Sequence, residues 1–239
     1  NVLKSEFRKS NGAVTTPEHI VHNTIDSTVP SEYLQSLTNQ QILDLKFLDP
    51  ACGSGVFLVS IYDHLATQIE SNIEERKDVL PHRYLYEKDG KKYLNLEGRK
   101  LIVNQCLHGV DINQECVEVA KLSLSLKIID GFEPIDFNNA GLYGSQILHG
   151  VGVNIKCGNS LVEPDILERF SCISENLEEL AATNVFDYKT AFCDIFSRGG
   201  FDYVIGNPPY VEVKNYNVAL PCMSAYIKQR YGSSRNGKI

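Results

Sequence analysis

The chain predicts an α/β fold with a doubly wound, mainly parallel sheet, because strand-like runs alternate with amphipathic helical stretches. Three runs carry the expectation. Lys46-Phe47-Leu48-Asp49 opens into the glycine-containing loop Pro50-Ala51-Cys52-Gly53-Ser54-Gly55. Leu107-His108-Gly109-Val110-Asp111 ends on a second acid. Phe201-Asp202-Tyr203-Val204-Ile205-Gly206 leads into Asn207-Pro208-Pro209-Tyr210.

The elements follow in order. After Thr16, Pro17 suits the first turn of a helix in which Ile20, Val21, Thr24, Ile25 and Val29 fall near helical spacing. The strand ending at Asp49 comes next. From Gly55 a long helix places Phe57, Ile61, Leu65, Ile69 and Ile73 at four-residue steps, a core-packing stripe, with Glu70, Glu74 and Glu75 off it. Residues 83–96 read as an inserted hairpin around an Asp89-Gly90 turn. A helix through Lys100-Leu101-Ile102 leads to the strand ending at Asp111. Asn113 is placed to cap a helix running to about Gly131. The period-two run Leu122-Ser123-Leu124-Ser125-Leu126 conflicts with helix, but the segment is long and lacks β-branched residues until Ile128, so helix is expected. Residues 133–152 read as a loop, Val153 to Cys157 as a third strand, Phe186 to Phe196 as helical, and 201–205 as a fourth strand. The expected division is an N-terminal helical segment, 1–45, and a catalytic domain, 46–239, with an insertion at about 80–97.

Composition narrows the function. The 239 residues suffice for one α/β domain with insertions, and 43% hydrophobic with 22% charged residues is ordinary for a globular protein. No apolar run approaches the roughly 20 residues of a membrane span, and no signal peptide is visible. Seven cysteines, an odd number without a Cys-x-x-Cys pair, argue against a disulfide framework and a thiolate zinc site and for a reducing cytosol. His19 and His22 lack a third ligand, so no metal is expected. The net charge of -7 argues against gripping nucleic acid alone. Lys214, Lys228, Arg230, Arg235 and Lys238 cluster near the end and suggest that a basic surface begins there. The first residue is not Met, which suggests a piece of a longer protein.

The motifs carry the chemistry. Gly53 and Gly55 allow a sharp strand-to-helix turn and close approach of a ligand. By itself that signal is weak. Asp111, ending the next strand, stands where ribose hydroxyls are read in such folds. Asp49 would repel a pyrophosphate and attract a ligand bearing an ammonium and a sulfonium, which favours S-adenosylmethionine over NAD. In Asn207-Pro208-Pro209-Tyr210 the prolines remove two backbone donors. What remains is mostly acceptor: the Asn207 carbonyl and backbone carbonyls, suited to both hydrogens of a planar amino group. Tyr210 offers a π-face for the ring that bears it.

These residues resemble the N6-adenine DNA methyltransferases of the gamma arrangement, and within them the single-chain restriction–modification enzymes (type IIG-like) and related phage-defence methyltransferases. The resemblance covers most of the chain. Gly12-Ala13-Val14-Thr15-Thr16-Pro17 is similar to the family's N-terminal motif, with Val14 and Thr15 where aromatics are usual. Asp49 to Gly55 matches the first cofactor motif, Gly109-Val110-Asp111-Ile112 the ribose-binding acid and its apolar neighbour, and Cys157-Gly158-Asn159-Ser160-Leu161 the third motif, with Asn159 where many relatives have Asp. The resemblance implies a Rossmann-like, S-adenosylmethionine-dependent fold, truncated at its C-terminal end. It implies cofactor binding by Thr16, Asp49, Ala51, Gly53, Gly55, Asp111, Ile112, Asn159 and Ser160, and catalysis by Asn207, Pro208 and Tyr210. The target adenine would be flipped from double-stranded DNA into the pocket, with direct methyl transfer. Later strands and a DNA-recognition domain would lie beyond Ile239, in a bacterial or archaeal cytoplasm. Pro221-Cys222 is similar to the nucleophile motif of cytosine carbon-5 methyltransferases, but lies past the fourth strand and is read as incidental. Two rivals remain: a protein-glutamine or RNA methyltransferase, and a cofactor-binding fragment without turnover.

Overall fold

A computed structural model describes residues 16–75, 80–132, 149–170, 173, 176–209, 217 and 220–231. Three helices open the described chain: α1 (Glu18–Thr28), α2 (Ser31–Gln35) and α3 (Asn39–Asp44). Pro17 stands one position before the first helical residue, where its carbonyl accepts from the Ile20 and Val21 amides at 2.9 and 3.2 Å. Thr38 and Gln41 form a reciprocal capping box at the start of α3. Val21, Ile25 and Val29 are buried, whereas Ile20 faces out.

Strand β1 (Phe47–Asp49) leads through the glycine loop into α4 (Val56–Glu74), whose five apolar residues at four-residue steps are all buried. Strands β2 (Leu85–Lys88) and β3 (Lys91–Leu94) form the expected antiparallel hairpin. Both turn residues, Asp89 (φ 52°) and Gly90 (φ 75°), are left-handed, as a primed two-residue turn requires. Then come α5 (Leu96–Cys106), β4 (Leu107–Asp111) and α6 (Gln114–Ile129). Asn113 caps α6 by accepting from the Glu115 amide. The period-two leucines resolve as helix: Leu124 is buried and Leu122 and Leu126 lie on the exposed side. Strand β5 spans Ile155–Cys157, so Val153 lies outside it. Short helices α7 (Ile166–Arg169), α8 (Leu177–Thr183), α9 (Tyr188–Ala191) and α10 (Cys193–Phe196) precede β6 (Tyr203–Val204) and α11 (Pro221–Arg230).

The main sheet has the order β5-β4-β1-β6, and every pairing in it is parallel. Phe47 pairs with both Leu107 and Tyr203, which puts β1 between its neighbours. The Asp202 carboxylate accepts from the Lys46 amide at 2.7 Å and aligns the starts of β6 and β1. Successive strand residues face opposite sides. Phe47 joins the core formed with α1 to α6, whereas Leu48 joins Phe186, Phe192 and Ile195 from the α9–α10 region. The sheet is therefore covered on both faces, as a doubly wound fold requires. On the second face His108 is buried, its ring edge-on to Phe192 and Phe201, and burial lowers its pKa to about 4.

One expectation is corrected here. The odd cysteine count argued against a disulfide framework, yet Cys222 is disulfide-bonded. Cys52, Cys106, Cys116, Cys157 and Cys193 are free thiols.

The inserted hairpin is locked to α5 through Gly98. A methyl group there would stand 2.5 Å from the Tyr84 carbonyl oxygen and 3.0 Å from Leu94 Cδ2. Gly→Ala inside a helix ordinarily stabilises by about 1 kcal/mol. Here the clash is with backbone, so Gly98→Ala is expected to destabilise by about 1–3 kcal/mol. Urea denaturation checks this; a stabilised variant would show that the hairpin yields.

Candidate functional site

The site lies at the C-terminal ends of the strands, where β1 lies between β4 on one side and β6 on the other. Strand order reverses there, and such a switch point opens a crevice for ligands. Three strand ends supply it: Asp49 from β1, Asp111 from β4, and Gly206-Asn207 after β6.

The glycine loop is tied to β4. The Cys52 amide donates to the Val110 carbonyl at 3.0 Å, and the Gly53 amide donates to Asp111 Oδ2 at 2.9 Å. Asp111 Oδ1 accepts from the Asn113 amide at 2.8 Å. Each carboxylate oxygen keeps acceptor capacity beyond one such bond. Gly53 (φ 53°) and Gly55 (φ 86°) adopt the left-handed conformation that favours glycine. A methyl on Gly53 would meet nothing within 4 Å, so the loop faces open space there. Gly55 instead abuts helix α6, where a methyl would stand 3.1 Å from Ala120 Cβ. Gly55 thus serves helix packing, and Gly53 leaves room for a ligand.

Asp49 is 1% exposed. Its Oδ1 accepts from the Ala51 amide at 3.0 Å, which holds Ala51 in the turn. Burial raises its carboxyl to about 7, against the lowering effect of that amide, and the negative charge of Asp111 raises it further. Beside it, the Cys52 thiol is pushed far up by burial and by both carboxylates. The Asp49 carboxylate also rests on Gly206, whose missing Cβ would collide with Oδ1. The end of β1 is thereby packed against the residue that precedes Asn207.

Asn207 is exposed, and its Nδ2 donates to the Thr16 hydroxyl at 3.2 Å. Pro208 and Pro209 are also exposed, and Tyr210 lies outside the described residues. Thr16, expected at the cofactor, therefore touches the Asn207 amide. Ile112, following Asp111, is 39% exposed, an apolar surface beside the acid.

The third motif is more inward. Asn159 Oδ1 accepts from the Leu161 amide at 3.0 Å and Nδ2 points to the Met223 sulfur at 3.5 Å. Its amide thus supports its own turn and helix α11. The Ser160 hydroxyl donates to the Pro50 carbonyl, and Tyr188 bonds to Ser160 in turn. Ser160 and Tyr188 brace the glycine loop from behind. Gly158 is required because a Cβ would run into Phe186. No sequence motif marks Tyr188 or Asn184, whose Nδ2 donates to the Ile112 carbonyl at 3.1 Å.

Of the basic cluster near the end, Arg230 pairs with Glu163 and Asp165 at 2.6 and 3.1 Å. Lys228 bonds to Asn217 Oδ1 at 2.5 Å. Lys214, Arg235 and Lys238 lie outside the described residues.

Residues 105–239 match a family model described as Eco57I restriction-modification methylase, and residues 3–140 match one described as N-6 DNA Methylase. The chain belongs to the N-6 DNA methylase family. Methyltransferases in general take their methyl group from S-adenosylmethionine, and the donor set of this chain suits it. A buried acid answers a cationic centre, a second acid answers hydroxyls, and open space over Gly53 beside an exposed Ile112 answers a sugar and a flat base. The chain is 27% identical over 226 residues to the type II restriction enzyme and methyltransferase RM.Eco57I of Escherichia coli, covering 92% of this chain and 20% of that protein. It is 29% identical to the putative type II restriction enzyme and methyltransferase RM.MjaORFECS2P of Methanocaldococcus jannaschii, covering 81% and 17%. It is 24% identical to the adenine-specific methyltransferase PglX of Streptomyces coelicolor, covering 89% and 16%. The chain thus spans about a fifth of the length of the curated relatives it matches. Among the described residues no helix is long and apolar enough to cross a membrane.

Asp49 makes stability depend on pH. Its folded pKa, about 7, lies above the ordinary 3.8, so the folded state keeps a proton that the unfolded chain releases. The stability this contributes is fully present below about pH 4 and lost as pH rises through about 7. Asp49→Asn should therefore lose less melting temperature than the wild type between pH 5 and pH 8. Equal losses in scanning calorimetry would place the proton elsewhere. Gly206→Ala should destabilise and weaken cofactor binding together, because its methyl must displace the Asp49 carboxylate; a neutral effect in both measurements would show the contact to be soft.

Proposed function

We propose that this methylase carries the cofactor-binding and catalytic part of an enzyme that transfers a methyl group from S-adenosylmethionine to the exocyclic amino group of adenine in a specific sequence of double-stranded DNA, within a restriction–modification or defence system. The observation that carries the reading is the direct packing of the Asp49 loop on Gly206, which sets Asn207 beside the glycine loop. The cofactor supplies an electrophilic methyl on a sulfonium. Asp49 is assigned to the cofactor's cationic end, Ala51, Gly53 and Gly55 to the backbone cradle, and Asp111 with Ile112 to the ribose and base. Asn159 and Ser160 shape the wall behind them.

Asn207 works on the target. Its Oδ1 and the Pro208 carbonyl accept from the two amino hydrogens. Holding both hydrogens takes the nitrogen lone pair out of conjugation with the ring and leaves it more available to attack carbon. Tyr210 stacks on the extruded ring. After transfer, the nitrogen sheds one proton to solvent, so no covalent enzyme intermediate is required. DNA recognition is assigned to parts of the longer relatives that this chain does not match, in keeping with the net charge of -7. The proposed division is a helical segment, 1–45, and a catalytic domain, 46–239, with α1 packed into the same core as α4.

In the full-length protein, Asn207→Ala is expected to lower methyl transfer to adenine about a hundred-fold or more while leaving cofactor affinity near wild type. Asp111→Ala should weaken cofactor binding about ten-fold or more, since a hydrogen bond to a charged group is worth roughly 1.5–3 kcal/mol. Tyr210→Phe should retain more activity than Tyr210→Ala, because stacking needs only the ring. Radiolabel transfer into DNA, RNA and protein, with calorimetry for the cofactor, decides the matter. Label arriving in a protein glutamine or in RNA by preference would move the assignment to the rival class.

A further inference from the structure

The peptide between Pro50 and Ala51 is held at both ends. Its amide, on Ala51, donates to Asp49 Oδ1 at 3.0 Å, and its carbonyl, on Pro50, accepts from the Ser160 hydroxyl. A planar trans peptide points those two groups in opposite directions, so fixing one fixes the other. The proline ring locks φ of Pro50, which leaves ψ of Pro50 and φ of Ala51 as the torsions that turn this peptide. A carbonyl oxygen only accepts, so Ser160 spends its one hydrogen on Pro50. Tyr188 hydrogen-bonds Ser160, and with that hydrogen spent the phenol is the donor. The chain from Tyr188 through Ser160 to Pro50 therefore runs in one direction.

Backbone pairing delivers Tyr188 to Ser160. Asn159 bridges Val185; the Asn159 amide donates to the Asn184 carbonyl at 2.7 Å and the Phe186 amide to the Val162 carbonyl at 2.9 Å. The turn carrying Ser160 and the segment leading to Tyr188 thus run side by side. Asp187 caps α9 by accepting from the Lys189 and Thr190 amides, and the Tyr188 ring packs edge-on to Phe186 with centroids 4.8 Å apart. Cap and ring contact together limit where the phenol can reach.

We propose that Tyr188 is a positioning residue for the cofactor's cationic end, acting through Ser160 on the Pro50–Ala51 peptide that engages Asp49. Of the influences on Asp49, burial and the charge of Asp111 push its carboxyl up, and the Ala51 amide draws it down. The orientation of this one peptide thus bears on how readily Asp49 carries the negative charge that meets a cation. Without the phenol, Ser160 keeps its hydrogen but loses the donor that fixes and polarises its hydroxyl. The peptide then turns more freely, and the amide leaves Asp49 part of the time.

This inference rests on the proposed binding of S-adenosylmethionine. Tyr188→Phe keeps the ring and removes the hydroxyl. In the full-length protein it should weaken S-adenosylmethionine binding about three- to ten-fold by calorimetry, the size of one lost hydrogen bond. Melting temperature should stay within about 2 °C of wild type. Methylthioadenosine carries the same nucleoside without the ammonium or the sulfonium. Its affinity should change less than about two-fold, because no charge on it calls on Asp49. In the Ser160→Ala background, Tyr188→Phe should have no further effect on either ligand. Equal weakening of both ligands by Tyr188→Phe would mean a general loosening of the loop and would overturn the inference. So would a further loss in the Ser160→Ala background, which would mean that the phenol touches the cofactor itself, or a Tyr188→Phe protein that binds S-adenosylmethionine like wild type. A wild type that binds no S-adenosylmethionine would overturn the cofactor assignment itself, and this inference with it.

Discussion

The buried carboxylate of Asp49 is the constraint on which the site depends. It terminates the strand flanked by β4 and β6, organises the turn through the Ala51 amide, and presses on Gly206 across the switch point. Water does not reach it, so its charge is expensive unless a cation arrives. Those features follow from one placement. An acid at the end of a central parallel strand cannot be solvated by the strands on either side. It can be relieved only by the backbone amide beside it and by whatever enters the crevice.

Around that acid most polar groups hold loops in place. Ser160 braces Pro50, Asp111 ties down Gly53 and starts the turn at Asn113, and Asn184 fixes the Ile112 carbonyl. Preorganisation of this kind leaves the reacting groups with little to rearrange when substrates arrive. The reading places two groups at the chemistry, Asp49 for charge and the Asn207 amide for the target. Their separation is set by contact between their own loops, so neither depends on the precision of a distant element.

Much of this was legible from the residues. The four-residue stripe of α4, the Asp89-Gly90 turn and the acids ending β1 and β4 announce themselves because each obeys a local rule. What was not legible is long-range or depends on which polar group is already engaged. Nothing local says that Thr16 meets Asn207, that the Asn159 amide turns back to Leu161, or that Arg230 pairs with Glu163 and Asp165. Tyr188 carries no motif and is found only by its position behind Ser160. Among the described residues β6 pairs only with β1, and Gly206, which follows it, leaves space for the Asp49 carboxylate that a side chain would fill.

The central claim is that Asp49 holds a proton until a cationic ligand takes its place. Cys52 and Tyr188 feel its charge, and the charge of Asp111 acts on it in turn. Calorimetric titration of S-adenosylmethionine at pH 6.5, repeated in buffers of different ionisation enthalpy, counts the protons exchanged on binding. The account predicts net proton release from the wild type, lost in Asp49→Asn. Binding without proton release, or the same release from both proteins, would contradict it.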